Sequence, residues 1–324
     1  MRKAMGFLDI FLFSINATLP VVLCMAVGIF VRWRKTVDAE TSKRLSALCF
    51  KLFLPVLTFN NIRAIDFRSD FSPRLITSAF LGILALFTAL LLILGSVVKD
   101  KEWLAACVHV GFRSNYIMLG IPLAQNMFGQ EGVRIASMLI PVATIPFNFL
   151  TLFLFSVADS EQNTSVGALL KSTISKVVRN PLIIATVLGV IASLIHFTFP
   201  TFLETTLLNL GGVASTLCLV VLGTQISLEK EMDHARRVVL MSMTRLIFVP
   251  VVMLPIFVAL GFRGPELGAL FVLFASPCAN SCAIMARQYN VKPQFTAQVV
   301  AVTTLFSGLT AFVGIYLLRA LRFF

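Results

Sequence analysis

"GFRSNYIMLGIPLAQNMFG", residues 111–129, sets an arginine, two asparagines, a glutamine and a proline inside what otherwise reads as a membrane-spanning run. A lipid-facing segment cannot leave such groups or its backbone unpaired, because each orphaned polar group in hydrocarbon costs several kcal/mol. Asn115, Gly120 and Pro122 also weaken a helix at its middle, since Pro122 has no N–H to donate and its ring clashes with the preceding turn. The stretch therefore reads as a helix broken inside the membrane and sheltered by the rest of the protein.

The surrounding composition supports that setting. The chain of 324 residues is 58% hydrophobic and 13% charged, with a mean hydropathy of +0.91. Soluble domains are apolar only to about 45–50%. Runs of about twenty apolar residues, the length a helix needs to cross the hydrocarbon core, recur near 8 to 31, 41 to 62, 74 to 98, 103 to 128, 132 to 157, 180 to 198, 204 to 227, 236 to 260, 266 to 290 and 294 to 319. The expectation is an all-α polytopic membrane protein with about ten spans. The first run continues through Gly28 into "RWRK" without a small-x-small cleavage site, and is read as a retained helix.

The net charge of +12 is concentrated in short loops, which favours membrane topology over a nucleic-acid partner. Lys and Arg gather in the loops after the odd-numbered spans, which would place both termini outside the cytoplasmic membrane. All six cysteines fall in apolar runs and carry no disulfide framework. Cys278 and Cys282, spaced i, i+4, are the nearest approach to a soft-metal pair, and no metal or cofactor is expected from them.

The chain also reads as written twice. Adding 161 to Pro20 and Gly28 gives Pro181 and Gly189, and adding it to Phe128-Gly129 gives Tyr289-Asn290. Five spans per half, an odd number, would insert the second copy upside down, the inverted repeat common among secondary transporters. The expected division is residues 1–157 for one repeat, 158–179 for a polar connector, and 180–324 for the other. In the ninth span "ASPCANSC" puts Pro277 and Asn280 at nearly the depth of Asn115 and Pro122. Paired interruptions of this kind point to a transporter's binding site, because half-helix N-termini offer free N–H groups and a positive dipole end to an anion.

"SNYIMLGIPLAQNMFG" resembles the first crossover of the auxin efflux carrier family, and "ASPCANSCAIMARQYNVKP" is similar to its second. "KLFLPVLTF" and "NPLIIATVLGV" resemble two further family segments. The resemblance implies ten helices with two crossed, broken ones at spans 4 and 9. It further implies a scaffold of spans 1, 2, 6 and 7, a moving domain of spans 3 to 5 and 8 to 10, a homodimer, and organic-anion substrates such as auxin, malate or malonate. The chain lacks the long hydrophilic central loop of some plant members and looks more like the compact bacterial carriers. It also carries Arg113, where the plant members compared with it are not basic.

An arginine at mid-membrane costs about 2.5–3.5 kcal/mol on insertion scales, and none of the ten spans has Asp or Glu near its middle. Two readings of Arg113 stand: it grips a substrate carboxylate through two parallel hydrogen bonds, or it bonds backbone carbonyls freed by the break. Asn115 and Asn280 are expected to bind substrate through their amides, with Gly120, Pro122 and Pro277 shaping the broken backbone. Gln125, Asn126 and Gln288 are candidate route residues, and His109 is a candidate proton carrier. Lys51 and Arg245 are expected to snorkel toward a surface, and Arg245 is also a candidate pathway residue.

The reading is a secondary carrier that moves a small organic anion by alternating access, with an anion channel or a non-transporting sensor as the alternative. An enzyme is not expected, because no nucleophile, carboxylate pair or metal set lies at membrane depth.

Overall fold

The structure is a computed structural model and describes residues 7–64, 72–158, 179–226 and 234–324. Its helices are α1 (Phe7–Trp33), α2 (Ala39–Arg63), α3 (Pro73–Val97), α4 (Lys101–Phe112), α5 (116–128), α6 (130–158), α7 (Pro181–Leu194), α8 (Thr201–Thr224), α9 (Ala235–Ala259), α10 (Gly264–Ala275), α11 (Asn280–Gln288) and α12 (Pro293–Ala320). They fall along the apolar runs read from the sequence, and two of those runs are split into the pairs α4/α5 and α10/α11. Among the described residues, seven helical stretches are long and apolar enough to cross a membrane by themselves, and Pro181–Leu194 and Gly264–Ala275 are shorter apolar helices. The expected connector, 158–179, lies almost wholly outside the described residues.

Local chemistry sets the helix ends. Asp38, Ser72, Asp100 and Asn180 accept from the backbone N–H of Thr41, Leu75, Trp103 and Leu182. Each satisfies one of the amide donors that a helix start leaves unpaired. Pro73, Pro181 and Pro293 stand at helix starts, where a missing N–H costs nothing. Between α5 and α6, Gly129 adopts φ 61° and ψ −144°, a region essentially confined to glycine. Outward faces stay apolar, with Leu23, Leu81, Leu92 and Val251 exposed, as lipid contact requires.

Four helices form one packed group: α1 lies on α8, α2 lies on α7, and α2 also meets α8. Small residues permit the closest crossing. A Cβ on Gly28 would lie 2.0 Å from the Val220 carbonyl oxygen, and one on Gly223 would lie 2.0 Å from that of Met25. A Cβ on Gly189 would lie 2.9 Å from Ile62 Cβ and 3.1 Å from the Phe59 carbonyl oxygen. Positive φ recurs at Lys35 and His196, and again at Gly129 and Asn290. In a second group, α3 packs on α4 and the helices after it, while α9 packs on α10 and α12.

Contacts between helix ends define two faces of the molecule. At one, Lys292 Nζ donates to Glu102 at 2.7 Å, and Trp103 meets His234 edge-on at 4.7 Å. At the other, Phe7 packs on Tyr316 and Phe128 on Phe324, with ring centroids 6.1 and 5.2 Å apart.

Candidate functional site: the crossing of two broken helices

The two interruptions meet. The Asn115 N–H donates to the Pro277 carbonyl at 2.7 Å, and the Ala279 N–H donates to the Arg113 carbonyl at 3.3 Å, forming a short antiparallel bridge across Ser114 and Cys278. The second break falls at Pro277, as its missing N–H dictates. The first does not fall at Pro122, contrary to expectation. Its extended residue is Arg113, with ψ 116°, and Pro122 lies within α5 just after a π turn at Tyr116–Gly120. That wider turn accommodates the missing donor, so the bridge between the two broken segments, rather than proline, places the first break. Gly120 lets α5 pass α10: a Cβ there would stand 3.3 Å from both Ser276 Oγ and Val272 Cβ.

Arg245 is the largest correction to the sequence reading. It does not snorkel but is fully buried, within a π turn of α9. Its Nε donates to Ser276 O at 2.8 Å, Nη2 to Leu273 O at 3.3 Å, and Nη1 to Gly111 O and Phe112 O at 3.3 and 3.4 Å. Lys51, by contrast, is exposed on α2. Arg113 is buried as well, and its fork faces α6 and α11. Nη1 donates to Phe147 O at 3.1 Å and Thr151 Oγ1 at 3.3 Å, Nη2 to Asn148 Oδ1 at 2.9 Å, and Nε to Ser281 Oγ at 3.2 Å. Among the described residues, every oxygen that either arginine reaches is neutral.

The two asparagines differ. Asn115 is 5% exposed, starts α5, and its side-chain Nδ2 is buried without a hydrogen-bond partner. Asn280 starts α11, and its amide donates to Gln225 Oε1 at the end of α8. An orphaned amide donor costs about 1–3 kcal/mol, and here it stands at a half-helix N-terminus, in a crossing that also holds the buried Arg113 and Arg245. Such an arrangement suits a small anion.

Residues 13–315 match the family described as membrane transport protein, that of the auxin efflux carriers. The chain belongs to this family. It is 22% identical over 314 residues to the uncharacterized transporter YfdV of Escherichia coli K12, covering 95% of this chain and 98% of that one. It is 24% identical over 313 residues to an uncharacterized transporter of Methanothermobacter thermautotrophicus, covering 92% and 96%. Family and relatives are membrane transporters and not enzymes.

The other candidates of this transporter scatter around the crossing. His109 is fully buried on α4, edge-on to Phe155 at 4.7 Å, and neither ring nitrogen has a hydrogen-bond partner. Asn126 donates to Ala17 O at 2.9 Å and ties α5 to α1. Gln125 lines a cavity of about 110 Å³ with Asn60, Asn61, Gln130 and Ser215 between α2, α8 and the α5–α6 turn. Gln288 is exposed near the end of α11, away from the crossing. Residue-by-residue reading passed over Gln225, Ser281, Asn148, Thr151 and Thr303, whose Oγ1 accepts from Cys278 N at 3.2 Å. A signal existed for one pair: Asn148 and Thr151, spaced i, i+3 in the apolar run "PFNFLTLF", share a helix face.

Proposed function

We propose that this chain is a secondary carrier that moves a small organic anion, a mono- or dicarboxylate, across the cytoplasmic membrane by alternating access. The observation that carries the reading is the buried, unpartnered amide of Asn115 at the start of a half-helix, in a crossing that holds Arg113 and, among the described residues, no carboxylate partner for it. The substrate supplies the negative charge that Arg113 lacks. Asn115 makes the direct hydrogen bond, the N–H groups of α5 and α11 face the anion, and the Arg113 charge acts chiefly through its field, because most of its donors are already engaged. Gly120, Pro122, Pro277 and Asn280 shape the cradle, and His109 is the group available to carry a proton.

Ten spans in a 5+5 inverted repeat fit this function. The close contact of Gly28 with Val220 and Gly223 becomes, on shifting by 161, that of Gly189 with Phe59 and Ile62. One offset relating whole contacts supports a duplication far better than matched single residues do. In this reading α1, α2, α7 and α8 are the scaffold and the remaining helices move against them, in a homodimer with both termini outside.

The test is uptake and counterflow in proteoliposomes, using a panel of mono- and dicarboxylates with pH and sodium gradients imposed separately. Saturable flux with counterflow is expected. Unitary currents would instead make it a channel, and binding without flux would make it a sensor.

A further inference from the structure

The four carbonyls around Arg245 lack helical partners for identifiable reasons. Leu273 O would accept from residue 277, but that residue is proline. Gly111 O would accept from the N–H of Asn115, which donates across the crossing to Pro277 O instead. Phe112 is the last residue of α4, and Ser276 lies just beyond the end of α10. Each helix C-terminus carries about −0.5 elementary charge. Two converging ends thus present about −1, which one guanidinium offsets, and a ring of neutral oxygens of this kind is what half-helix ends in transporters offer to a cation.

We propose that Arg245 is a tethered cation: its guanidinium fills a monovalent-cation site formed by the carbonyls of Gly111, Phe112, Leu273 and Ser276, and removing it opens that site to a free cation. The charge holds the C-terminal ends of α4 and α10 together, and so fixes the crossing from the side opposite the N-terminal ends of α5 and α11. Its bearing on transport rests on the carrier reading above, whereas the site itself does not.

The test measures melting temperature of the purified full chain in detergent, without substrate, in choline, sodium, potassium or lithium chloride at equal ionic strength, with guanidinium at about 10 mM as a further arm. The wild-type chain is expected to melt alike in all of them, and a sodium-specific rise would overturn the proposal. Arg245→Ala is expected to melt several degrees lower in choline and to recover with a small monovalent cation or with guanidinium; indifference to every cation would overturn it. Arg245→Met keeps the stem without the charge or donors, and melting as high as wild type would equally overturn the proposal. Arg245→Lys, which retains a tethered charge, is expected to melt above the Met variant and to ignore sodium; a lysine variant no more stable than the methionine one counts against it. Because no arm uses substrate or flux, failure of the carrier reading in proteoliposomes remains distinguishable from failure here.

Discussion

The Asn115 N–H donates to the Pro277 carbonyl at 2.7 Å, so the two broken segments satisfy one another's backbone where both pass through the interior. That pairing removes Asn115 from the helical ladder and leaves its side chain at the start of α5 with a free donor. Asn115→Ala is accordingly expected to weaken carboxylate binding by about ten- to a hundredfold, the equivalent of one charge-assisted hydrogen bond of about 1.5–3 kcal/mol. Isothermal titration on folded protein measures it, and unchanged affinity would remove Asn115 from the site.

Asn280 and Gln225 share one hydrogen bond, so their variants should behave alike. Asn280→Ala and Gln225→Ala are each expected to weaken binding less than Asn115→Ala. The double variant should add little to either single one, as expected of residues that act as a pair. Fully additive losses would show that the two amides act separately.

The fork of Arg113 ties α4 to α6 and α11. Arg113→Lys keeps the charge but loses the planar donors, so it should lower the melting temperature and weaken dicarboxylate binding modestly. Arg113→Gln should weaken dicarboxylates further, and monocarboxylates less. Equal losses for both ligand classes across the series would leave Arg113 a purely structural tie.

Gly28→Ala would put a methyl group 2.0 Å from the Val220 carbonyl oxygen. Overpacking of this kind typically costs about 1–3 kcal/mol. Thermal melts should show Gly28→Ala and Gly223→Ala well below wild type, and Gly212→Ala, where nothing lies within 4 Å, close to it. Equal melting of all three would mean that α1 and α8 do not cross this tightly.

Asp100 caps α4, and the Trp103 N–H holds its carboxyl below the usual carboxylate range, helped by the Glu102 N–H, Lys292 and Arg237. A lowered folded-state pKa contributes stability above the unfolded value of about 3.9, and that contribution is lost as pH falls through the folded value. Below about pH 4, the melting temperature of wild type should therefore fall more steeply than that of Asp100→Asn. Parallel curves would remove Asp100 from the acid response.

How much of this was legible beforehand differs from residue to residue. Membrane residence, the helical segments and the two interrupted runs at 111–129 and 275–290 follow from the sequence alone. Apolar run length, proline's missing N–H and capping side chains act within a few residues along the chain, and so remain visible in one dimension. The fate of each polar side chain depended on which helix crosses which, and in what register. Arg245 reads from sequence like any snorkelling arginine, but a π turn in α9 aims it at four carbonyls, two at the end of the next helix and two at the end of α4, more than 130 residues away. Arg113 reads from sequence either as an anion clamp or as a tie to freed backbone carbonyls, and only the crossing shows that α6 offers it Phe147, Asn148 and Thr151. The first break seemed to belong to Pro122 but is set by the bridge to Cys278, a contact between residues 164 apart. Local chemistry determined where the helices weaken, and only the tertiary crossing decided which donors were left for a ligand.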